Sequence, residues 1–431
     1  MSVTPATRLP SAFNRLAWSN LAAQSAEQVG LAAAPLVAVL ALGAGAGEAG
    51  LLQTAQTLPF LLLAVPAGVL ADRSSRRRLM VGAEGLRALS LLGILGLAWL
   101  GLLTLPLLAL LGFVGAAGTV AYSVAAPSLV PSLVPREALS AANGRLELAR
   151  SAAFTAGPAV AGGLIGWAGS GVAFGFAAAL SLLAVLLLAG LREPKRQSSG
   201  GRDVVREVRD GAELVLGHAL LRPVLLTAVF FNVAFVVMQA VYVPYAIQHL
   251  GLGASGVGAT LGTFGMGMVV AALLAPRITG MLPFGSVVVL GPLAGLASAL
   301  VMVLTIWVPS AGLAALSFFL IGAGPLLWTI STTTLRQAVT PGEMLGRVSA
   351  VIVTATYGSR PVGAAIGAFV GGVYGAEACI VVAALGFLVQ TLVIVTSPVP
   401  RLTSHEGLGV RGEGGEDEPL APDPSSLAPQ V

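Results

Sequence analysis

Glu27 is the residue in this chain most obviously placed to do chemistry. It lies inside a long apolar stretch, and Asn20, Gln24 and Glu27 follow one another at i, i+4 and i+7 with Gln28 adjacent, so one face of a helix carries a polar stripe. If that helix starts near Asn14, Glu27 sits roughly 20 Å along it at about 1.5 Å per residue. A carboxylate at such a depth can take up a proton in one state and release it in another, or pair with a cationic ligand. Mutual exclusion of the two would couple two flows. The alternative is a carboxylate satisfied by amides or an arginine, holding helices together.

The other ionisable residues inside apolar stretches separate by position. Arg360, 17 residues past Glu343 (360 minus 343), directly precedes Pro361, where a helix is expected to bend. It can bind an anionic group, neutralise Glu27, or form a structural ion pair. Glu84 with Arg87 and Glu147 with Arg150 stand at i, i+3, a spacing that favours structural pairs. No metal or cofactor is called for: His218, His249 and His405 are scattered and Cys379 is alone. The sequence has no GxxxxGK[ST] phosphate loop and no loop that groups a nucleophile, a base and an orienting residue, so an enzyme is not expected.

The elements that must position these residues are membrane helices. A mean hydropathy of +0.90, with 56% hydrophobic and 10% charged residues over 431 positions, exceeds what a soluble protein combines. Runs long enough to cross about 30 Å of hydrocarbon fall at 13–43, 50–71, 78–101, 105–128, 141–167, 171–191, 222–247, 253–276, 283–307, 310–334, 344–373 and 376–397. Their lengths predict an all-α membrane protein of twelve transmembrane helices in two six-helix halves.

Basic residues give the orientation. Connections near residues 45, 103, 169, 250, 309 and 375 contain no Lys or Arg. The alternate set holds Arg73, Arg76, Arg77, Arg78, Arg136, a cluster from Arg192 to Arg209, Arg277, Arg336 and Arg347. Both termini are therefore expected in the cytoplasm, with the protein in the inner (plasma) membrane. The net charge of +4 is explained by topology, and nothing points to nucleic acid. The first apolar run is too long for a cleaved signal peptide. The expected organisation is an N-terminal half over 1–191, a linker with an amphipathic cytoplasmic helix over 192–221, a C-terminal half over 222–399 and a disordered tail over 400–431. A monomer is expected.

The halves repeat. Pro135, Glu137 and Leu139 answer Pro341, Glu343 and Leu345 at an offset of 206 residues, 341 minus 135, and Pro158 answers Pro361 at 203, 361 minus 158. Two parallel six-helix halves are a transporter signature.

The loop GVLADRSSRRR between the second and third spans resembles the signature of the major facilitator superfamily, with Gly68, Asp72, Arg73, Arg76 and Arg77 at its characteristic places and Ser75 where a second glycine is usual. The resemblance runs to about residue 397. It implies a gate, in which Gly68 lets helices 2 and 11 approach and Asp72 faces the positive end of helix 11 or an arginine, closing the cytoplasmic side. The run from Pro127 to Gly166 resembles the branch that includes the enterobactin exporter and bacterial efflux pumps. Gly157, Pro158 and Gly162 resemble an antiporter motif, with Pro158 bending the helix and small residues packing tightly against a neighbour.

The family's cavity helices would place Asn232, Gln239 and Tyr242 (i, i+7, i+10), Tyr122 and Trp328 beside the substrate, with Asn20, Gln24 and Arg360. Span 4, which carries an arginine in many proton-coupled relatives, has none here. The implied function is secondary active export of amphipathic, drug-like small molecules by proton antiport and alternating access. The partners are then the cargo, the bilayer and a proton. A siderophore or lysophospholipid transporter, or a transport-inactive sensor or scaffold, are the alternatives.

Overall fold

In a computed structural model of the chain, residues 10–135, 138–191, 204–341 and 344–402 are described. Within them the side chains of residues 65, 69, 72, 73, 127, 128, 140, 141 and 204–207 fall outside the description. The helices are α1 (Ser11–Leu40), α2 (Ala46–Arg73), α3 (Arg76–Trp99), α4 (Leu105–Leu133), α5 (Leu139–Ala168), α6 (Ser170–Ala189), α7 (Val204–Gly217), α8 (Leu221–Gln248), α9 (Ala254–Met281), α10 (Phe284–Leu304), α11 (Ala311–Val339), α12 (Leu345–Gly358), α13 (Arg360–Tyr374) and α14 (Ala376–Val395). Setting α7 aside and joining α12 to α13 end to end leaves twelve rods linked by short turns. Among the described residues, eight helices are long and apolar enough to cross a membrane.

Below, "terminal side" means the end of the bundle where α1 begins and "far side" the opposite end. The sharpest backbone turns lie on the far side. Gly43, Gly101, Gly169, Gly251 and Gly375 all have positive φ, between +67° and +89°, in the turns that follow α1, α3, α5, α8 and α13. An L side chain is disfavoured there, so each turn needs glycine. The repeat is visible in these turns: Gly169 (φ 86°, ψ 173°) and Gly375 (φ 89°, ψ 175°) are 206 residues apart, 375 minus 169. Before α5 and α12, Ala138 N–H donates to Pro135 O at 3.0 Å and Met344 N–H donates to Pro341 O at 2.9 Å, again 206 residues apart (341 minus 135).

The cores show how the halves sit. On the far side a single apolar core takes residues from both halves, for example Val37, Ile94 and Phe174 with Val241, Phe318 and Phe387. On the terminal side it divides. Phe13, Met80, Leu129 and Leu188 pack within the N-terminal half, while Val288, Leu335 and Ile394, and Val215, Leu225 and Val348, pack within the C-terminal half. The halves are joined at one end and parted at the other.

Glycine contacts say the same at atomic resolution. A Cβ on Gly162 of α5 would lie 2.9 Å from Gly258 Cα of α9, and one on Gly50 of α2 would meet the Ala368 backbone of α13. The two contacts are related by the repeat, since 368 minus 162 is 206 and 258 minus 50 is 208. Both are on the far side. At Gly68, Gly144, Gly280 and Gly346 on the terminal side a Cβ would meet nothing within 4 Å.

Three expectations are refined. The eleventh span is two stacked helices meeting at Ser359, with Pro361, which has no N–H, in the first turn of α13. Helix α5, by contrast, runs through Pro158 without a break. The linker contains the amphipathic α7, with the rest of 192–203 outside the described residues. It docks on α12, where Arg347 Nη1 lies 3.0 Å from Asp210 Oδ2. The tail is ordered as far as Leu402, whose carbonyl accepts from Gly285 N–H at 2.9 Å; residues 403–431 lie outside the described residues.

Candidate functional site: a central cavity open on the terminal side

Between the halves lies a cavity of about 1110 Å³. Its deep part is lined by Glu27 of α1, Arg87 of α3, Thr119 of α4, Asn232 and Gln239 of α8 and Arg360 of α13. Nearer the terminal side it is lined by Asn143, Glu147 and Arg150 of α5 and Arg336 of α11. The glycine-packed far-side contacts exclude access from the other end.

Glu27 points into this space with its side chain 17% exposed. The nearest cation is Arg87, Nη2 to Oε2 3.8 Å. Arg87 is itself held tightly: Nη1 donates to Glu84 Oε1 at 2.7 Å and to Ala23 O at 3.1 Å, and Nη2 donates to Thr119 Oγ1 at 2.7 Å. A buried arginine requires such a cage, because each ion removed from water must recover its lost hydration from neighbours. Glu84, fully buried, supplies the charge. Arg87 thus bridges α3 and α4 through Thr119. Sequence spacing marked Glu84 and Arg87 as a pair; that Arg87 also faces Glu27 is a tertiary fact.

Arg360 donates from Nε to Asn232 Oδ1 at 3.0 Å and lies over the Tyr357 ring, 4.3 Å to its centroid. It does not pair with Glu27; Arg87 occupies that place. On α5, Arg150 and Glu147 form a two-pronged pair at 2.6–3.1 Å.

Aromatic rings tie the halves together at this level. Phe60 of α2 stacks on Tyr357 of α12 at 5.8 Å, and Phe154 of α5 meets Phe264 of α9 at 5.7 Å. The two contacts are mates under the repeat, 264 minus 60 being 204 and 357 minus 154 being 203. Phe235 and Phe231 continue the row from Phe264 at 5.8 Å spacings. Spacing along the chain gave little sign of this wall, because only Phe231 and Phe235 share a helix and the other rings come from α2, α5, α9 and α12.

The remaining sequence candidates divide. Asn232, Gln239, Tyr242 and Trp328 line the cavity, and the Tyr242 hydroxyl pairs with Thr260 Oγ1. Asn20, Gln24 and Tyr122 are not among the lining residues. At their level α1 is enclosed by the N-terminal core, where Leu16, Ala22, Ala23 and Tyr122 are buried. The stripe on α1 therefore has the right direction, but only its deeper end, Glu27 and Gln28, reaches the cavity.

In the loop between α2 and α3, Ser75 caps α3 by accepting from Arg78 N–H at 3.2 Å, which gives a serine a role where the resemblance expects glycine. Arg76 opens α3, and Arg77 Nη1 donates to Leu191 O at 3.0 Å, at the end of α6 in its own half. The side chains of Asp72 and Arg73 lie outside the described residues. The close approach of α2 to α13 occurs at Gly47 and Gly50 rather than at Gly68. On α5, a Cβ at Gly157 would meet Gln28 Cβ of α1 and the backbone behind it, so small size is required there.

Comparison with known proteins agrees with this architecture. Residues 16–364 match the family model described as Major Facilitator Superfamily. The chain is 27% identical over 245 residues to an uncharacterized MFS-type transporter, y4rN, of Sinorhizobium fredii (strain NBRC 101917 / NGR234); the match covers 56% of this chain and 59% of that relative's length. Among solved structures, the nucleoside transporter NupG (D323A mutant) is similar at a TM-score of 0.72 with 12% identity, covering 89% of this chain and 99% of that one. A bacterial homologue of the iron transporter ferroportin in an inward-facing state is similar at 0.70 with 16% identity, covering 89% and 98%. With a two-fold repeated helical bundle around a central cavity and a family match over most of its length, the chain is a membrane transporter belonging to the major facilitator superfamily.

Proposed function

We propose that this protein is a secondary active exporter of amphipathic small molecules, drug-like compounds among them, driven by proton antiport through alternating access. The observation that carries the reading is Glu27: a carboxylate at mid-depth facing the cavity, whose one nearby cation, Arg87, is committed to Glu84 at 2.7 Å and stands 3.8 Å from Glu27 itself. Glu27 is thus within reach of a cation without being locked to it. A proton or a cationic group can neutralise it, but not both at once. The aromatic wall supplies an apolar surface for the rest of the cargo.

Basic-residue placement supports a reading with the open terminal side and both termini in the cytoplasm and the protein in the inner membrane. In that orientation the cavity is the state that loads cargo from inside. The resemblance of Gly157, Pro158 and Gly162 to an antiporter motif supports export, and a cavity lined from both halves of one chain fits a monomer. One proton moving through about 100 mV supplies about 2.3 kcal/mol and a pH unit about 1.4 more. Together they sustain roughly a few-hundred-fold gradient of a neutral cargo.

The test is proton flux into proteoliposomes under a pH gradient on addition of lipophilic cations, siderophores or lysolipids, comparing the native chain with Glu27→Gln. Cargo-dependent flux that disappears in the variant is expected. Equal flux in both removes Glu27 from the coupling, and silence to every compound in both refutes the export reading.

A further inference from the structure

The charges around the cavity are distributed unevenly between its walls. On the N-terminal wall, Arg87 is paired with Glu84 and Arg150 with Glu147, at 2.7 and 2.6 Å. What remains is Glu27, one negative charge. On the C-terminal wall stand Arg360 and, at the mouth, Arg336. Among the described residues neither has a carboxylate within ion-pair distance.

Glu27 lies near the middle of the 30-residue α1. Arg360 stands at the junction of α12 and α13, helices of 14 and 15 residues, so it too is at mid-depth. Glu27, 3.8 Å from an arginine already committed to Glu84, and Arg360 thus face one space from the two halves, and a row of aromatic rings runs beside them. Arg360 spends its Nε on Asn232 and its face on Tyr357, leaving the paired Nη edge that binds carboxylate or phosphate two-pronged.

Building on the antiport reading, we infer that the preferred cargo is an amphipathic zwitterion, whose ammonium group sits at Glu27, whose carboxylate or phosphate group sits on Arg360, and whose apolar body lies along the Phe154–Phe264–Phe235 wall. A simple cation leaves Arg360 unneutralised in a site of low dielectric. A simple anion leaves Glu27 unneutralised and draws a proton onto it, which favours movement of proton and cargo together rather than in exchange. Only a cargo with both charges satisfies both walls and still displaces the proton from Glu27.

The test uses the full-length chain in nanodiscs of phosphatidylglycerol and three probes with the same alkyl chain: an alkyl trimethylammonium, an alkyl phosphate and an alkyl phosphocholine. The native chain should bind the phosphocholine about tenfold or more tighter than either singly charged probe, the scale of one charge-assisted contact in a dry site. Arg360→Gln should abolish the preference over the ammonium probe, and Glu27→Gln the preference over the phosphate probe. Arg360→Lys, which keeps the charge without the fork, should retain part of it and guards against a misfolded Gln variant. Equal binding of all three probes by the native chain, or an unchanged preference in folded Arg360→Gln, overturns the inference. An intact preference with no cargo-dependent proton flux would instead refute the antiport reading and leave the zwitterion site standing.

Discussion

Replacing Gly162 by alanine should open the far side of the transporter. The added Cβ would lie 2.9 Å from Gly258 Cα and 3.1 Å from Gly258 N, and would also meet Ala254 O. All three are backbone atoms, so no rotamer change relieves the contact. Ordinary carbon contacts need about 3.5–4.0 Å, so α5 and α9 must part by roughly half an ångström or more. Overpacking of this kind costs about 1–3 kcal/mol, and because it is felt only while the far side is closed, it biases the closed-to-open ratio by about 5- to 150-fold. Gly163 is the control: it is the next residue of the same helix, and a Cβ there meets nothing within 4 Å. Both alanines gain the same helix propensity, about 1 kcal/mol, so their difference isolates the contact. The assay is the distance distribution between spin labels on Leu102→Cys and Val308→Cys, exposed far-side positions in opposite halves; the natural Cys379 is buried. A longer-distance population in Gly162→Ala and not in Gly163→Ala is expected. Identical distributions in the two would falsify the claim that glycine packing holds this end shut.

Two further outcomes follow from buried charge and from a titrating cap. Arg87→Met should strand Glu84, which is fully buried, and lower stability by about 3–5 kcal/mol; thermal unfolding in detergent should show a smaller loss when Glu84→Gln is added, and an equal loss in single and double variants would contradict the caging role. His218, in the turn between α7 and α8, accepts at Nδ1 from Leu220 N–H at 3.1 Å, which requires an unprotonated ring nitrogen, and partial burial holds its pKa below the ordinary 6.5. Its contribution is therefore present above pH 6.5 and is lost as pH falls through its lowered folded value. Hydrogen exchange at residues 218–222 should accelerate in that acid range in the native chain but not in His218→Asn, and a pH-independent native pattern would remove the cap.

Most of the architecture was legible because a bilayer leaves so few solutions. Apolar runs matched the twelve rods of the bundle, and the Pro135/Pro341 offset reappears in the backbone angles of Gly169 and Gly375. The site was legible only where direction along a helix coincided with depth. Glu27 faces the cavity; Asn20, on the same face one level away, is buried by Leu16 and its neighbours. Arg87 was readable as the partner of Glu84 because i, i+3 spacing is local, whereas its approach to Glu27 depends on how α1 and α3 pack. The aromatic wall was hidden for the same reason, and so was the lack, among the described residues, of a carboxylate beside Arg360 or Arg336, since a counterion is a property of the whole cavity.

The polarity that makes α1 functional also bears on how the chain enters the membrane. Two of its crossing helices, α1 and α5, have 30 residues each yet are absent from those apolar enough to qualify as spans among the described residues. They pack on each other, with Gly157 of α5 closed over Gln28 of α1. During synthesis α1 emerges about a hundred residues before α5, and for that interval a segment bearing Asn, Gln and Glu has no lasting partner in lipid. In the folded bundle that segment is covered by α5 and α6 together, so the polar stretch of α1 is sheltered from lipid only once the last two helices of its half are in place.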